Sequence, residues 1–435
     1  MIKVKGGPST GSGQTDLRGG STATRPHRAS IGFVFTMVLL DMLGFGIVMP
    51  VLPRLIMDLG HMTIDSAAVF AGWLGAGYAA MQFVFAPVIG GLSDRFGRRP
   101  VMLAAVLAMG VDYTVMGFAP ALGWLVVGRV VAGVTGASFS AGYAYIADIT
   151  PPEKRAASFG LMGMAFGFGF IAGPALGGLL GTIGPRVPFF AAGALAFLNF
   201  LFGLVFLRES LALDLRRPFA WARANAFAAL KALRGQSSTV LWFVSALGVW
   251  QLAHTVYPAI WTYFAMEAYG FDVKQVGLAL AVVGLTSALV QGLGLRWIAP
   301  RLGERVAVML GVAGFAVSAV LYLLATSTAM VYLAIVIGSL QGLIAPSIQA
   351  INSRTVDARS QGELQGATQS IGSIAQIIAP PLYAGVFAKF SGPDALAQIP
   401  AMPLLVAAGF SLIGLALFVA GLRRMAGRAE VPAAT

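Results

Sequence analysis

Cysteine is absent from the 435 residues, and histidine occurs only at His27, His61 and His254. The first absence excludes disulfides, thiol chemistry and cysteine-ligated metal. With so few histidines, two of them in an expected tail or loop, a His-rich metal site has almost nothing to be built from. Charge is also scarce. Only 11% of the residues are charged and 57% are hydrophobic, whereas a soluble domain averages about 25% charged. A water-soluble fold of this composition would expose large apolar patches and aggregate; lipid as solvent removes the conflict. There is no Gly-x-x-x-x-Gly-Lys-Ser/Thr phosphate loop, so ATP-driven work is not expected. Gly167-Phe-Gly169 lies inside an apolar run rather than after a strand, so it is no nucleotide loop. Neither a metal-ligand cluster nor a nucleophile elbow occurs, so no catalytic residue, metal or cofactor is expected and the chain does not read as an enzyme.

What the chain has in quantity is apolar runs. One bilayer crossing takes ~20 apolar residues. Such runs lie at roughly 30–56, 67–90, 100–119, 122–147, 157–182 and 187–207, then at roughly 238–266, 273–297, 304–326, 328–352, 362–390 and 399–422. In lipid the backbone must satisfy its own hydrogen bonds, so these twelve spans are helices. The expected fold is an all-α integral membrane protein of two pseudo-symmetric six-helix bundles. Residues 1–29, rich in Gly, Ser and Thr, read as a disordered tail with no cleavable signal. The bundles take 30–207 and 238–422, a polar linker takes 208–237, and a second tail takes 423–435. Within the linker, Phe219, Trp221, Phe227 and Leu230 among Arg223, Lys231 and Arg234 suit a helix at the membrane interface.

Taken alone, the net charge of +12 suggests nucleic acid. The basic residues instead cluster at alternate span ends, as the positive-inside rule requires, so no nucleic-acid partner is expected. Arg95/Arg98/Arg99, Lys154/Arg155, Arg208/Arg216/Arg217, Arg301/Arg305, Arg354/Arg359 and Arg423/Arg424/Arg428 fall on one side. That pattern puts both termini in the cytoplasm of a multi-pass plasma (inner) membrane protein.

A repeat emerges by subtraction. Arg95-Phe-Gly-Arg-Arg returns as Arg301-Leu-Gly-Glu-Arg, and 301 − 95 = 206. Phe159-Gly160-Leu returns as Gln365-Gly366-Ala at the same offset, and Ile171-Ala-Gly-Pro174 returns as Ile378-Ala-Pro-Pro381 at 207. Two parallel repeats of this kind put a transport site between the halves near the midplane. One chain holds both halves, so a monomer suffices. An uncoupled channel or receptor, the alternative from another class, has no need of such repeats.

The densest local signal is Gly90-Gly-Leu-Ser-Asp94-Arg95-Phe-Gly97-Arg98-Arg99-Pro100. Gly97 permits a tight turn, and Asp94 beside three arginines can form charge-assisted bonds that latch one conformation. The stretch resembles the signature loop of the major facilitator superfamily. Three further segments are similar to drug:proton antiporters within it: Asp41-Met-Leu-Gly44-Phe-Gly46-Ile-Val-Met-Pro50, Gly128-Arg129-Val-Val-Ala-Gly133, and Gly169-Phe-Ile-Ala-Gly173-Pro174-Ala-Leu-Gly177-Gly178. Met81-Gln82, Asp112-Tyr113 and Ile146-Ala-Asp148 narrow the resemblance to tetracycline-resistance efflux proteins. The resemblance implies proton-coupled export of a small amphipathic drug, with proton coupling at Asp41, Asp112 and Arg129. Export of another drug or of an endogenous metabolite is the runner-up.

Elementary physics supports the roles. A charge at mid-bilayer costs about 2.5–3.5 kcal/mol on insertion scales, so Asp41 and Asp112, the only acids deep in the expected spans, are retained for a reason. If Asp41 and Arg129 face each other, a change in their contact loads or unloads a proton. Gly169, Gly173, Gly177 and Gly181 step by four and let another helix approach closely, while Pro174 bends their helix. For the drug, aromatic and amide groups suit a flat amphipathic ligand. The candidates are Gln82, then Gln251, His254, Tyr257 and Trp261 on span 7, the last three stepping by three and four along one face, and Gln291 on span 8. Gln341, Gln369 and Gln376 are further amides at lipid depth. The chain departs from well-known tetracycline exporters in its second half. Their span 8 histidine and span 9 aspartate align with Ser287 and with Phe315 or a neighbour, and Pro300 stands where the first half has Asp94.

Overall fold

The computed structural model describes residues 28–136, 139–151, 154–221, 225, 237–354, 361–392, 395 and 397–429. Nearly all are helical, and no strand occurs among them. Among the described residues twelve helices are long and apolar enough to cross a membrane. Spans 1–6 are Ile31–Val48, Ile64–Phe96, Arg98–Phe118, Leu122–Ile149, Ser158–Gly181 and Val187–Phe206. Spans 7–12 are Ser238–Tyr269, Val273–Ile298, Pro300–Leu324, Thr328–Ser353, Leu364–Ser391 and Met402–Met425. Most of the first tail, the end of the second, and the part of the expected interfacial helix carrying Arg223, Phe227, Leu230, Lys231 and Arg234 lie outside the described residues. The described start of that segment, 216–220, is not helical.

Several helices break where their sequence demands it. The first apolar run does not continue to residue 56. It stops at Val48, and a separate helix, Leu52–Gly60, follows and buries Pro53, Leu55 and Ile56. Pro50 and Pro53 each lack a backbone donor, so one continuous helix is not available. Span 7 is two helices, Ser238–His254 and Val256–Tyr269, meeting at Thr255, whose Oγ1 donates to the Gln251 carbonyl at 2.7 Å. Span 10 tightens into a 3₁₀ turn at Ser339–Leu343, and span 8 loosens into a π turn at Val290–Gly294.

Span 1 packs most extensively on span 5, and span 3 on span 6. In the second half span 7 packs on span 12 and span 9 on span 10. The halves meet through two seams, span 2 against span 11 and span 5 against span 8. Glycine makes both close. A side chain at Gly72 would strike the backbone of Pro380 at 2.8 Å, and one at Gly178 the backbone of Val273 at 2.9 Å. Both seams therefore close toward the face opposite the arginine-rich loops. Nearer those loops, Gly90 has open space before it and Gly91 meets Phe219 of the connecting segment rather than the second half.

Candidate functional site

Between the halves lies a central cavity of about 240 Å³. The first half lines it with Phe45, Val48 and Met49 of span 1, Tyr78 of span 2, Tyr113 of span 3 and Arg129 of span 4, among others. The second half contributes Thr255, Pro258, Ala259, Thr262 and Tyr263 of span 7 with Gln376 and Pro380 of span 11. The wall is apolar and aromatic, with a few polar groups set into it, as small-molecule sites are. Positions 255, 258, 259 and 262 share one helix face, so the cavity face of span 7 is fixed by helical spacing. The Arg129 Nε and the Tyr263 hydroxyl are buried without hydrogen-bond partners. Neither Tyr263 nor Thr262 stood out in the sequence, because aromatic and hydroxyl residues are common throughout the spans.

The face carrying His254, Tyr257 and Trp261 turns away into the second bundle. The Tyr257 ring meets Phe315 edge-on at 5.6 Å, and its hydroxyl lies 3.3 Å from the Ser318 Oγ of span 9. Trp261 is buried. Trp250 packs against both His254 and Phe315. Gln251 is half-buried, with its Cγ 3.8 Å from where a side chain on Gly372 would begin. Gln291 is exposed on span 8 and lies beside Gly342. Gln82 sits one turn from the cavity, its Nε2 donating to the Tyr78 hydroxyl at 3.4 Å.

The three candidate coupling residues divide into two groups. Asp41 is held by Asn199 of span 6, whose Nδ2 donates to the Asp41 Oδ1 at 2.8 Å and to the Met37 carbonyl at 2.9 Å. Arg129 donates to the Met116 Sδ at 3.3 Å instead of to a carboxylate. Asp112, buried in span 3, has its Oδ2 unpartnered. Among the described residues no ion pair joins Asp41, Asp112 and Arg129. Tyr113 is in electrostatic reach of Arg129, Asp112, Asp41 and Tyr78. Its ring packs against Gly44 of span 1, 3.6 Å from where a side chain would begin. In place of the expected face-to-face meeting of Asp41 and Arg129, Asp41 pairs with the Asn199 amide and Arg129 with the Met116 sulfur.

The loop after span 2 gathers its charges around Arg98. Gly97 has φ 105°, a conformation open to glycine, and a side chain there would run into Glu209. The Arg98 Nη1 donates to the Asp94 Oδ1 at 2.5 Å and the Ser93 Oγ at 2.6 Å, and its Nε donates to the Asp148 Oδ2 at 3.3 Å. Glu209 accepts from the Arg98 backbone N–H at 2.9 Å and pairs with Arg216 at 3.7 Å. Arg99 donates to the Leu204 carbonyl, and Arg95 lies over the Phe96 ring at 5.0 Å. The Arg217 N–H donates to the Asp94 carbonyl at 3.1 Å. The latch residues Gly90, Asp94, Arg95, Gly97, Arg98 and Arg99 therefore lie in one cluster, joined by Asp148 and the segment from Glu209 to Phe219.

On span 5, Gly169, Gly173 and Gly177 press on span 1, where a side chain would meet backbone at Leu43, Gly46 and Ile47 respectively. Pro174 packs on Gly46 from the same side, while Gly178 turns to Gly277 of span 8. One glycine-rich helix thus contacts both span 1, which carries Asp41, and the other half.

Twelve spans in two repeats, with a polar-studded cavity between them and a charged loop stapled beneath, define a membrane transporter. Residues 34–380, and in a second match 250–434, match the Major Facilitator Superfamily, and the chain belongs to that family. The tetracycline resistance protein, class C, of Escherichia coli is 41% identical over 351 residues, covering 81% of this chain and 88% of that protein. The class G protein of Vibrio anguillarum is 37% identical over 84% of this chain and 92% of its own. Among solved structures, the nucleoside transporter NupG superposes with a TM-score of 0.71 at 12% identity, over 91% of this chain and 99% of that one. The human organic anion transporter MFSD10 (TETRAN) gives 0.68 at 24% identity, over 90% of this chain and 99% of its own. These two share the fold.

Proposed function

We propose that this chain is a proton-coupled antiporter that exports tetracycline or a related amphipathic drug by alternating access. The observation that carries the reading is the central cavity, with Arg129 in its wall and Asp41 and Asp112 close behind it, in a chain 41% identical to a tetracycline resistance protein. Two acids retained at membrane depth serve as proton sites. The arginine-rich loops lie in the cytoplasm by the positive-inside rule. The glycine seams then close the outer face, and drug enters from the cytoplasmic side. Protonation from outside and rocking of the halves release the drug outward. Each proton moving down 100 mV supplies about 2.3 kcal/mol, enough to drive a substantial drug gradient. The protein works as a monomer in the plasma membrane, with both termini cytoplasmic.

The test is proton release from the purified protein on drug addition, together with drug uptake into inverted vesicles. Release that tracks drug binding and uptake abolished by a protonophore are expected. Uptake indifferent to the protonophore overturns coupling. Export of another drug or an endogenous metabolite is favoured by one observation: Phe315 is buried against Trp250 and Tyr257 in the span where the well-known exporters are expected to carry an acid. Resistance profiling in a pump-deficient host separates the two; no rise in tetracycline resistance selects the second.

A further inference from the structure

Asn199 is fully buried in the first bundle, on span 6, facing Asp41 of span 1. A buried amide normally uses all its donors and acceptors, because a polar group left unpaired away from water loses the bonds water would have given it. Both Nδ2 hydrogens of Asn199 have partners, the Met37 carbonyl and the Asp41 carboxyl. The carbonyl of Met37 can only accept, so the amide cannot be turned the other way. That leaves the Asn199 Oδ1, and it is buried with no partner. An ionised Asp41 can never fill it, since a carboxylate only accepts. A protonated Asp41 carries the one donor the pair lacks.

We propose that Asn199 is the amide half of a proton-binding pair: on protonation the Asp41 hydroxyl donates to the Asn199 Oδ1, while the other Asp41 oxygen still accepts from Nδ2. The proton is then held by two neighbouring helices of one bundle, away from the wall of the drug cavity. The surroundings leave Asn199 as the direct partner. Span 5 contacts this stretch of span 1 through glycines. Span 3 brings Tyr113 within electrostatic reach of Asp41, with Asp112 and span 4's Arg129 beyond it. Asp148, further along span 4, is held by Arg98 and Ser210. As a positioning residue, Asn199 rests on the antiport reading for its part in coupling, but the pair itself is testable without transport.

The measurement is pH-induced infrared difference spectroscopy on the purified full chain. Wild type should show a protonated-carboxyl band that is missing in Asp41→Asn. In Asn199→Leu the band should move to higher frequency, because the hydroxyl loses its acceptor. The exchange Asp41→Asn with Asn199→Asp keeps one acid and one amide and should bring back both a hydrogen-bonded carboxyl band and part of the drug-induced proton release lost in Asp41→Asn. An Asp41 band unmoved in Asn199→Leu, or an exchange variant without a carboxyl band, overturns the proposal; if the leucine variant does not fold, the exchange decides alone. A band that responds to Asn199 in a protein that releases no proton on drug binding would leave the pair standing and remove the antiport reading instead.

Discussion

The loops after span 2 and span 8 share a backbone turn and its flanking arginines and differ in most of the chemistry around it. Gly97 and Gly303 are 206 residues apart and adopt nearly the same turn, φ 105° and φ 83°. One residue on, Arg98 reaches Asp148; at the same offset, Glu304 reaches Arg354 at 2.7 Å. The ion pair has been kept and its signs exchanged. Around it the loops diverge. Arg98 is nearly buried and also meets Ser93 and Asp94. The Arg354 side chain is 69% exposed, and Pro300 stands where Asp94 would be. Geometry therefore survived duplication where chemistry did not, and the repeat fixes where helices go without fixing what each half does. The membrane-depth acids and Arg129 collect in the first half, and the second turns aromatics, hydroxyls and an amide toward the cavity or its own core.

The largest expected effect tests whether coupling belongs to one half. Asp41→Asn should reduce drug uptake into inverted vesicles to background, whereas His254→Gln, which removes the only histidine inside the second bundle's spans, should leave most of the rate. Comparable losses would break the division. Next come the two ion pairs, read by thermal unfolding of the purified protein. Arg98→Ala leaves Asp94 and Asp148 without their guanidinium and should cost about 1–3 kcal/mol, since Arg98 is nearly buried while its partners are partly solvated. Glu304→Ala opens an exposed pair and should cost no more than about 1 kcal/mol. Gly97→Ala and Gly303→Ala should each lose about 1–3 kcal/mol to backbone strain, because both sit in a region of φ and ψ essentially reserved to glycine. Gly97→Ala should lose more, because its new side chain collides with Glu209 whereas Gly303 has open space. The smallest effect sharpens the assignment of the drug face. Tyr263→Phe should raise the drug KM several-fold, in line with one lost hydrogen bond of about 1 kcal/mol, and leave the maximal rate nearly unchanged. Tyr257→Phe should do neither.

Much of this was open to inspection in the sequence. Twelve apolar runs and a recurring offset establish the architecture, because lipid leaves the backbone few options. Gly97 announces its turn. The rotation of span 7 does not announce itself: an aqueous helix shows its buried side by polarity, whereas one between lipid and protein is apolar on all sides. Helical spacing selects His254, Tyr257 and Trp261 and the true cavity face equally well, and the two differ by about 100°. The partners of Asp41 and Arg98 were hidden for another reason. Asn199 lies 158 residues from Asp41, and Glu209 lies 111 from Arg98; local pattern says nothing about contacts at that distance. Asn199 also reads as one more small polar residue in an apolar helix.

The outer seam has an electrical consequence. Where Gly178 meets the backbone of Val273, Lys274 and Gly277, and Gly181 meets the side chains of Val51 and Val273, a side chain in place of either glycine would begin within 3.3 Å of the other surface. Backbone this close leaves no gap between the helices wide enough for a chain of water. On the alternating-access reading the closed face would act as an insulator, with charge crossing the membrane only when the two halves move.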